Sequence, residues 1–276
     1  MPENELPVIT IAVPSFNQGR FLDCALTSIF QQNIPVEVFV MDGGSKDNSL
    51  QVIKKWDNKI SGWRSHPDSG QAAAINEAIK SGKAPFVCWL NSDDWLEPDG
   101  LRKLLAALKS TPSAPAAYGK VWDISDDTGA RSPVWTESFS KKRLALRCII
   151  SQPGTLIRRT AWESLGGTDP NLHMAMDYDL WWRLFDRFGP FVYVEEFVAV
   201  NRIHKETKTS RFRRQHYREA IDVVRKYNQS VPLKWWIAQP YAVWYKGIMN
   251  LLNRPKFLNI KNNNRSLAQN TNIDQD

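Results

Sequence analysis

Cysteine is scarce in this chain, with three residues in 276: Cys24, Cys88 and Cys148, far apart and with no C-x-x-C pair. An odd, scattered set excludes a disulfide framework and paired-thiol zinc motifs, and buried free thiols in a reducing compartment become the expectation. The chain also lacks a G-x-x-x-x-G-K-[ST] loop and a G-x-G-x-x-G fingerprint, so P-loop and ordinary dinucleotide chemistry drop away. Its Ser-containing turns have no His arranged for nucleophilic catalysis. The first residues, Met-Pro-Glu-Asn-Glu-Leu-Pro7, hold no apolar core, so no secretion signal is expected and the reading is cytoplasmic. No internal repeat is found. The most aromatic stretch, 231–252, is broken by Gln239, Pro240 and Lys246, short of the roughly 18 apolar residues a membrane span needs.

What is present begins with charge. Residues 1–200 carry 21 Lys/Arg against 24 Asp/Glu, whereas 201–276 carry 15 against 5. A basic C-terminal quarter on a near-neutral body calls for an anionic partner. No nucleic-acid-binding module accompanies it, so nucleic acid is not expected. Trp and Tyr interleave with Lys234, Lys246 and Arg254, the composition of a helix that either lies on a membrane surface or packs on the main domain. The tail 258–276 is Asn-rich and polar and reads as disordered.

Ahead of that quarter, apolar strands run repeatedly into polar, acid-bearing turns. Val8-Ile-Thr-Ile-Ala-Val13 leads into Pro14-Ser15-Phe16-Asn17, and Val36-Glu-Val-Phe-Val-Met41 into Asp42-Gly-Gly-Ser-Lys-Asp47. Gly62-Trp-Arg-Ser65 leads into Asp68-Ser-Gly-Gln71, and Pro85-Phe-Val-Cys-Trp-Leu90 into Asn91-Ser-Asp93-Asp94. Each is followed by a helical pattern, which predicts an α/β fold with a mainly parallel sheet. Ligands of such sheets bind beyond the carboxyl ends of the strands, so the four turns should form one cleft. Adjacent carboxylates closing a buried strand are costly without a positive partner; a divalent cation on a diphosphate is one, and a solvated acidic turn is the plainer alternative.

These four strings, in this order and spacing, resemble the successive motifs of family 2 glycosyltransferases, over roughly residues 7 to 205. The resemblance implies a GT-A fold and an inverting sugar transfer from a nucleotide-diphosphate donor, UDP-sugar first, to a hydroxyl of a glycan or lipid-linked acceptor. It implies a divalent metal, Mg²⁺ or Mn²⁺, with Asp94 and His204 as ligands and Asp93 on the ribose. Asn91 stands where the family often has Asp, which leaves the division of labour between Asp93 and Asp94 open. Pro14, Ser15, Asn17, Asp42, Asp68 and Gln71 fall at nucleotide-sugar positions. Asp42 either reads the base or supports the turn with Gly43 and Gly44. Asp68 either bonds base or sugar or caps the helix 71–80.

The second half, from Gln152 through Met176-Asp177-Tyr178-Asp179, is similar to the family's acceptor side, where an Asp opening a helix is the general base. Asp177 matches it, with Met176 in place of the common Glu; the alternative is an N-cap for a helix over 178–187. Asp179 is the poorer candidate, since Arg183 four residues on suggests a surface ion pair. His204 follows a strand predicted over 191–200. Arg211, Arg213 and Arg214 form either a mobile lid on the diphosphate or a solvated basic run. The expected organisation is a catalytic domain over 1–205, with a nucleotide-sugar half at 7–122 and an acceptor half at 123–205, then a basic helical extension over 206–257. The protein is expected to be peripheral on the inner face of a membrane. The rival from another class is a non-catalytic nucleotide-sugar or glycan-binding protein of the same fold. A nucleotidylyltransferase is disfavoured, because Pro14-Ser-Phe-Asn-Gln-Gly19 is not the Gly-rich, Arg/Lys-bearing loop that reaction needs.

Overall fold

The computed structural model describes residues 5–245. Among them nine strands form one sheet: β1 (Ile9–Ser15), β2 (Val36–Asp42), β3 (Gly62–Ser65), β4 (Phe86–Trp89), β5 (Trp95–Leu96), β6 (Ala116–Ser125), β7 (Arg131–Pro133), β8 (Thr155–Arg158) and β9 (Val192–Ile203). The helices are α1 (Gly19–Phe30), α2 (Ser49–Lys55), α3 (Gln71–Ser81), α4 (Gly100–Ser110), α5 (Lys141–Leu146), α6 (Arg159–Ser164), α7 (Met176–Phe188), α8 (Lys208–Arg211), α9 (Arg213–Asn228) and α10 (Leu233–Gln239).

The strand order is β3-β2-β1-β4-β8-β6-β9-β5, with β7 paired to β6. The first four are mutually parallel, as the strand-turn-helix repeat requires. Beyond them the sheet is mixed: β8 is antiparallel to both β4 and β6, and β9 is parallel to β6. Two reversals return β6 and β9 to the direction of β4. The carboxyl ends of β1 to β4, β6 and β9 therefore share one edge, which brings His204, just past β9, to the turn after β4.

Alternation along β1 explains the layering, since neighbouring side chains of a strand point to opposite faces. Ile9, Ile11 and Val13 pack with Leu22, Leu26 and Ile29 of α1 and with α4. Ala12 faces the second layer, where Ile75 of α3, Trp89 and the α7 residues Trp181 and Trp182 meet. Trp89 stacks on Trp181 with ring centroids 5.9 Å apart. Burying aromatic side chains of this size dominates core energetics.

Several expected boundaries and environments change. Helix α7 starts at Met176 with Ala175 as N-cap, so Asp177 lies inside the first turn and is not the cap. Asp179 does pair with Arg183 (2.6 Å), but the pair is not on the surface: Asp179 is 1% exposed and also accepts from Tyr227 Oη at 2.7 Å. α9 folds over it, which local spacing could not show. Arg211 closes α8 and Arg213 and Arg214 open α9, with Phe212 between the two helices. Of the cysteines, Cys88 is buried, Cys148 half-buried and Cys24 exposed, all unpaired. Within 231–252 the chain forms α10 and then a π-helical turn, Pro240–Tyr245; the remainder of that stretch and the 258–276 tail lie outside the described residues. Among the described residues no helix is long and apolar enough to cross a membrane.

Candidate active site

The turn after β2 is organised by Asp42. Its carboxylate is fully buried and accepts from Gly44 N (3.1 Å), Ser45 N (3.0 Å), Ser45 Oγ (2.5 Å) and Ser65 Oγ (2.7 Å). Gly44 has φ +82, a conformation that glycine adopts without steric cost. These bonds tie the loop together through Asp42, as the turn-supporting alternative requires. Asn17 ties the turn after β1 to this one: its N–H donates to Ser45 Oγ (2.7 Å) and its Oδ1 accepts from Lys46 N (2.8 Å). Ser15, at the end of β1, accepts from Gly43 N through its carbonyl (2.8 Å), while its buried Oγ has no partner among the described residues. Pro14 precedes it in β1, in register with Met41.

A methyl group at Gly43 would meet Phe16 Cδ2 at 3.2 Å and both Asp68 carboxylate oxygens at 3.7 Å. The bare Gly43 face thus opens between an exposed aromatic ring and a carboxylate. Asp68 is fixed there by Arg64 (3.0 Å) and by accepting from Gly70 N (2.9 Å). The N-cap of α3 is Gly70 and no side chain caps that helix, so Asp68 does not have the capping role.

The turn after β4 separates the two carboxylates that sequence left undivided. Asp94 is 2% exposed; its Oδ1 accepts from Arg202 N and its Oδ2 from Asn91 Nδ2, both at 3.0 Å. Burial, with the Asp93 charge beside it, pushes its carboxyl well above the usual range. Asp93 instead meets His204, with Oδ2 3.0 Å from Nε2. Arg202 bonds both residues, because its Nε also donates to the Asp93 backbone carbonyl at 3.0 Å. His204 Nδ1 is buried without a partner among the described residues, and the ring packs on Phe21 of α1.

Gln71 and Asn91 belong to a hydrogen-bonded series. Lys208 Nζ donates to Gln71 Oε1 (3.2 Å), Gln71 Nε2 to Asn91 Oδ1 (2.7 Å), Asn91 Nδ2 to Gln152 Oε1 (3.2 Å), and Gln152 Nε2 to the Trp89 carbonyl (2.7 Å). An ammonium only donates and a carbonyl only accepts, so the two ends fix the orientation of all three amides. Lys208 also donates to the His173 carbonyl, joining these strand-end turns to the segment before α7.

Asp177 is half-buried, and its Oδ1 accepts from Tyr178 N at 2.8 Å. Burial raises its carboxyl above the ordinary range, partly offset by that bond and by the charges of His216 and Lys208. The segment leading into it is clamped from α9: Glu219 Oε2 accepts from Met174 N (2.7 Å) and Ala175 N (3.1 Å), and Oε1 from Gln215 Nε2 (2.9 Å). A carboxylate at these free amides suits the positive end of α7.

Arg202, Lys208, His216 and Glu219 were not anticipated. Glu219 left one trace in the sequence, an acid on the same helical face as Ala220, Val223 and Val224.

A divalent ion fits the donor set. Asp93 and His204 present a hard carboxylate oxygen and an imidazole nitrogen side by side, and diphosphate oxygens and water can complete such a shell. Among the described residues no group of three or more His, Cys, Asp or Glu could hold a metal unaided, so an ion here would be shared with substrate.

The strand-end cleft, with paired acids on one side and a half-buried carboxylate in the first turn of a helix on the other, has the layout of a sugar-transferring enzyme of the GT-A type. Residues 10–166 match the family described as Glycosyl transferase family 2, more than half of the chain, and the protein belongs to that family. It is 27% identical over 212 residues to a hyaluronan synthase of Pasteurella multocida, covering 75% of this chain but 21% of that protein. The chain thus spans about a fifth of the length of this relative and of the Pasteurella chondroitin synthase. The fold resembles Staphylococcus aureus TarS 1–349 in complex with UDP, with a TM-score of 0.64 and 16% identity over 90% of this chain and 75% of that one. It also resembles a Pyrobaculum calidifontis mannosyltransferase in complex with GDP-Man and Mn²⁺, with a TM-score of 0.62 and 18% identity over 89% and 74% of the two chains. At these identities the likeness establishes the fold.

Proposed function

We propose that the protein is a divalent-metal-dependent, inverting glycosyltransferase that moves a sugar from a UDP-sugar to a hydroxyl of a glycan or lipid-linked acceptor. The observation that carries this reading is the Asp93–His204 pair at 3.0 Å, on the same sheet edge as the nucleotide-side turns. In this reading the metal ligands are Asp93 and His204; Asp94 supports them from below, a revision of the sequence-based expectation. When bound, the ion neutralises charge on the departing diphosphate.

The chain's own groups do the rest. The nucleotide lies over Gly43, between Phe16 and Asp68, with Ser15 Oγ free to bond it and Pro14, Asn17 and Asp42 shaping the loops. Gln71 links this side to Lys208. As the acceptor oxygen bonds the anomeric carbon from the face opposite the diphosphate, Asp177 takes the hydroxyl proton and the carbon–oxygen bond to the diphosphate breaks. A carboxylate whose affinity for protons is raised by burial is the better base, and the Tyr178 amide aims it.

The UDP preference is supported by TarS, solved with UDP and with UDP-GlcNAc; a metal is supported by the Mn²⁺ of the mannosyltransferase complex. The sheet runs continuously from β1 to β9, which supports a catalytic unit ending near residue 205, with the basic extension after it. A peripheral position on the cytoplasmic face is part of the proposal; the unpaired cysteines suit a reducing compartment.

The test is thermal shift with UDP, GDP and dTDP, each with and without Mn²⁺, followed by single-turnover transfer. Metal-dependent stabilisation by UDP, retained in Asp177→Asn while turnover is lost, is the expected pattern. Nucleotide binding without transfer to any hydroxyl acceptor, by wild type as well, would instead favour a binding protein.

A further inference from the structure

Helix α9 has two unlike faces. One, with Glu219, Ala220, Val223 and Val224, is buried against the catalytic body. The other carries Arg214, Arg218 and Arg225 in steps of four and seven residues, a single stripe on a helical surface, and Arg211 at the end of α8 adjoins it. With Phe212 and Trp236 they line a cavity of about 740 Å³ between α9 and α10. Arg225 is paired with Asp222 at 2.7 Å, while Arg211, Arg214 and Arg218 have no carboxylate partner among the described residues.

Like charges so arranged repel unless an anion lies among them, and guanidinium forks suit phosphate oxygens. The same region concentrates apolar surface. Nine large hydrophobic side chains are exposed among the described residues, and five lie within 212–241: Phe212, Leu233, Trp236, Ile237 and Tyr241. Aromatic and aliphatic side chains beside arginines match the boundary of a bilayer, apolar below and charged at the head groups. The chain's own last segment has the wrong charge to neutralise the stripe: residues 246–276 hold five Lys/Arg against two Asp.

We propose that this arginine-lined groove seats the phosphate head groups of an anionic phospholipid bilayer, with Leu233, Trp236 and Ile237 entering the interface. The proposal deepens the peripheral-membrane part of the function above and is independent of the transfer chemistry.

The test is flotation of the full chain with vesicles of phosphatidylcholine alone and of phosphatidylcholine with phosphatidylglycerol, in the absence of nucleotide. Wild type should bind only the anionic vesicles, more weakly as salt rises. Arg214→Gln with Arg218→Gln should lower partitioning about 25-fold, roughly fivefold per arginine. Trp236→Ala should weaken binding while leaving the salt dependence unchanged. These exposed substitutions should preserve Mn²⁺-dependent stabilisation by UDP, which shows that the variants are folded. Equal binding to neutral vesicles, no binding to either kind, or binding indifferent to the arginines but lost on removing 246–276 would overturn the proposal. So would arginine-dependent capture of a soluble polyuronate by a protein that ignores the vesicles, which would make the groove an acceptor surface. A wild type that floats as expected but binds no nucleotide would defeat the transferase reading and leave this one standing.

Discussion

Asp93 and Asp94 are adjacent in sequence, yet their substitution should fail in opposite ways. Asp94→Ala strands two buried donors, Arg202 N and Asn91 Nδ2, each 3.0 Å from a carboxylate oxygen. At about 1–3 kcal/mol for each buried group left unpaired, the cost is about 2–6 kcal/mol. Some of this is already offset, since burial and the Asp93 charge hold the Asp94 carboxyl well above its usual range, so the lower half is expected. For a folded unit of this size roughly 2–4 °C of Tm accompany each kcal/mol, which predicts a fall of about 4–16 °C. Asp94→Asn is also imperfect, because the fixed amide series turns Asn91 Nδ2 toward the new side chain, amine against amine. Asp93→Ala removes a side chain 18% exposed with a single side-chain partner, His204, and should shift Tm by no more than about 3 °C. What it should lose is the Mn²⁺-dependent part of UDP stabilisation, about 2.7 kcal/mol at a hundredfold excess over Kd. Scanning fluorimetry of both variants, with and without Mn²⁺ and UDP, reads the two effects in one assay. If Asp94→Asn melted like wild type but lost the metal effect, while Asp93→Ala kept it, the ligand assignment would be reversed.

The difference between those two acids shows where sequence reading stops. The first half of the sheet was legible because its signals are local: each strand carries its polar turn with it, and parallel pairing of β1 to β4 follows from strand-helix alternation. Which of two neighbouring carboxylates faces the cleft depends on Arg202, more than a hundred residues on. For Asp42 the sequence left base reading and turn support both open, and it could not show that Ser65 reaches the carboxylate from the next strand. Asp179 had the spacing of a surface pair until Lys226 and Tyr227 of α9 covered it. In each case the residue type was readable and the environment was not, since the environment is set by an element that arrives later in the chain. Glu219 is the informative exception. A charge on the buried face of an otherwise basic amphipathic helix is costly unless paired, so its position alone implied a partner, though not the α7 amides it holds.

Three further outcomes follow from the proposed role of Asp177. Asp177→Asn should cut kcat about 10²–10⁴-fold and leave the Tyr178 amide satisfied. Because burial raises the Asp177 carboxyl in the folded state, its contribution to stability is present at low pH and lost as pH rises through that raised value, so the Asn variant should gain Tm relative to wild type at pH 7–8; a loss of Tm there would contradict the burial argument. Lys208→Met removes a positive charge that lowers the Asp177 carboxyl, so the acid limb of the kcat profile, already above the ordinary carboxylate range, should move to higher pH; a limb that stays or moves down would show that Lys208 does not act on the base. The last concerns Glu219, whose two bonds to Met174 N and Ala175 N are made to the backbone just ahead of the base. Glu219→Ala leaves those amides unpaired at about 1–3 kcal/mol each and frees the start of α7, and a displacement of about 1 Å at Asp177 would lower kcat roughly 100-fold. Glu219→Gln retains an acceptor oxygen for the same amides and should restore most of kcat, while the donor KM stays near wild type in both variants. A rise in donor KM with unchanged kcat would mean that α9 steadies the nucleotide side rather than the base.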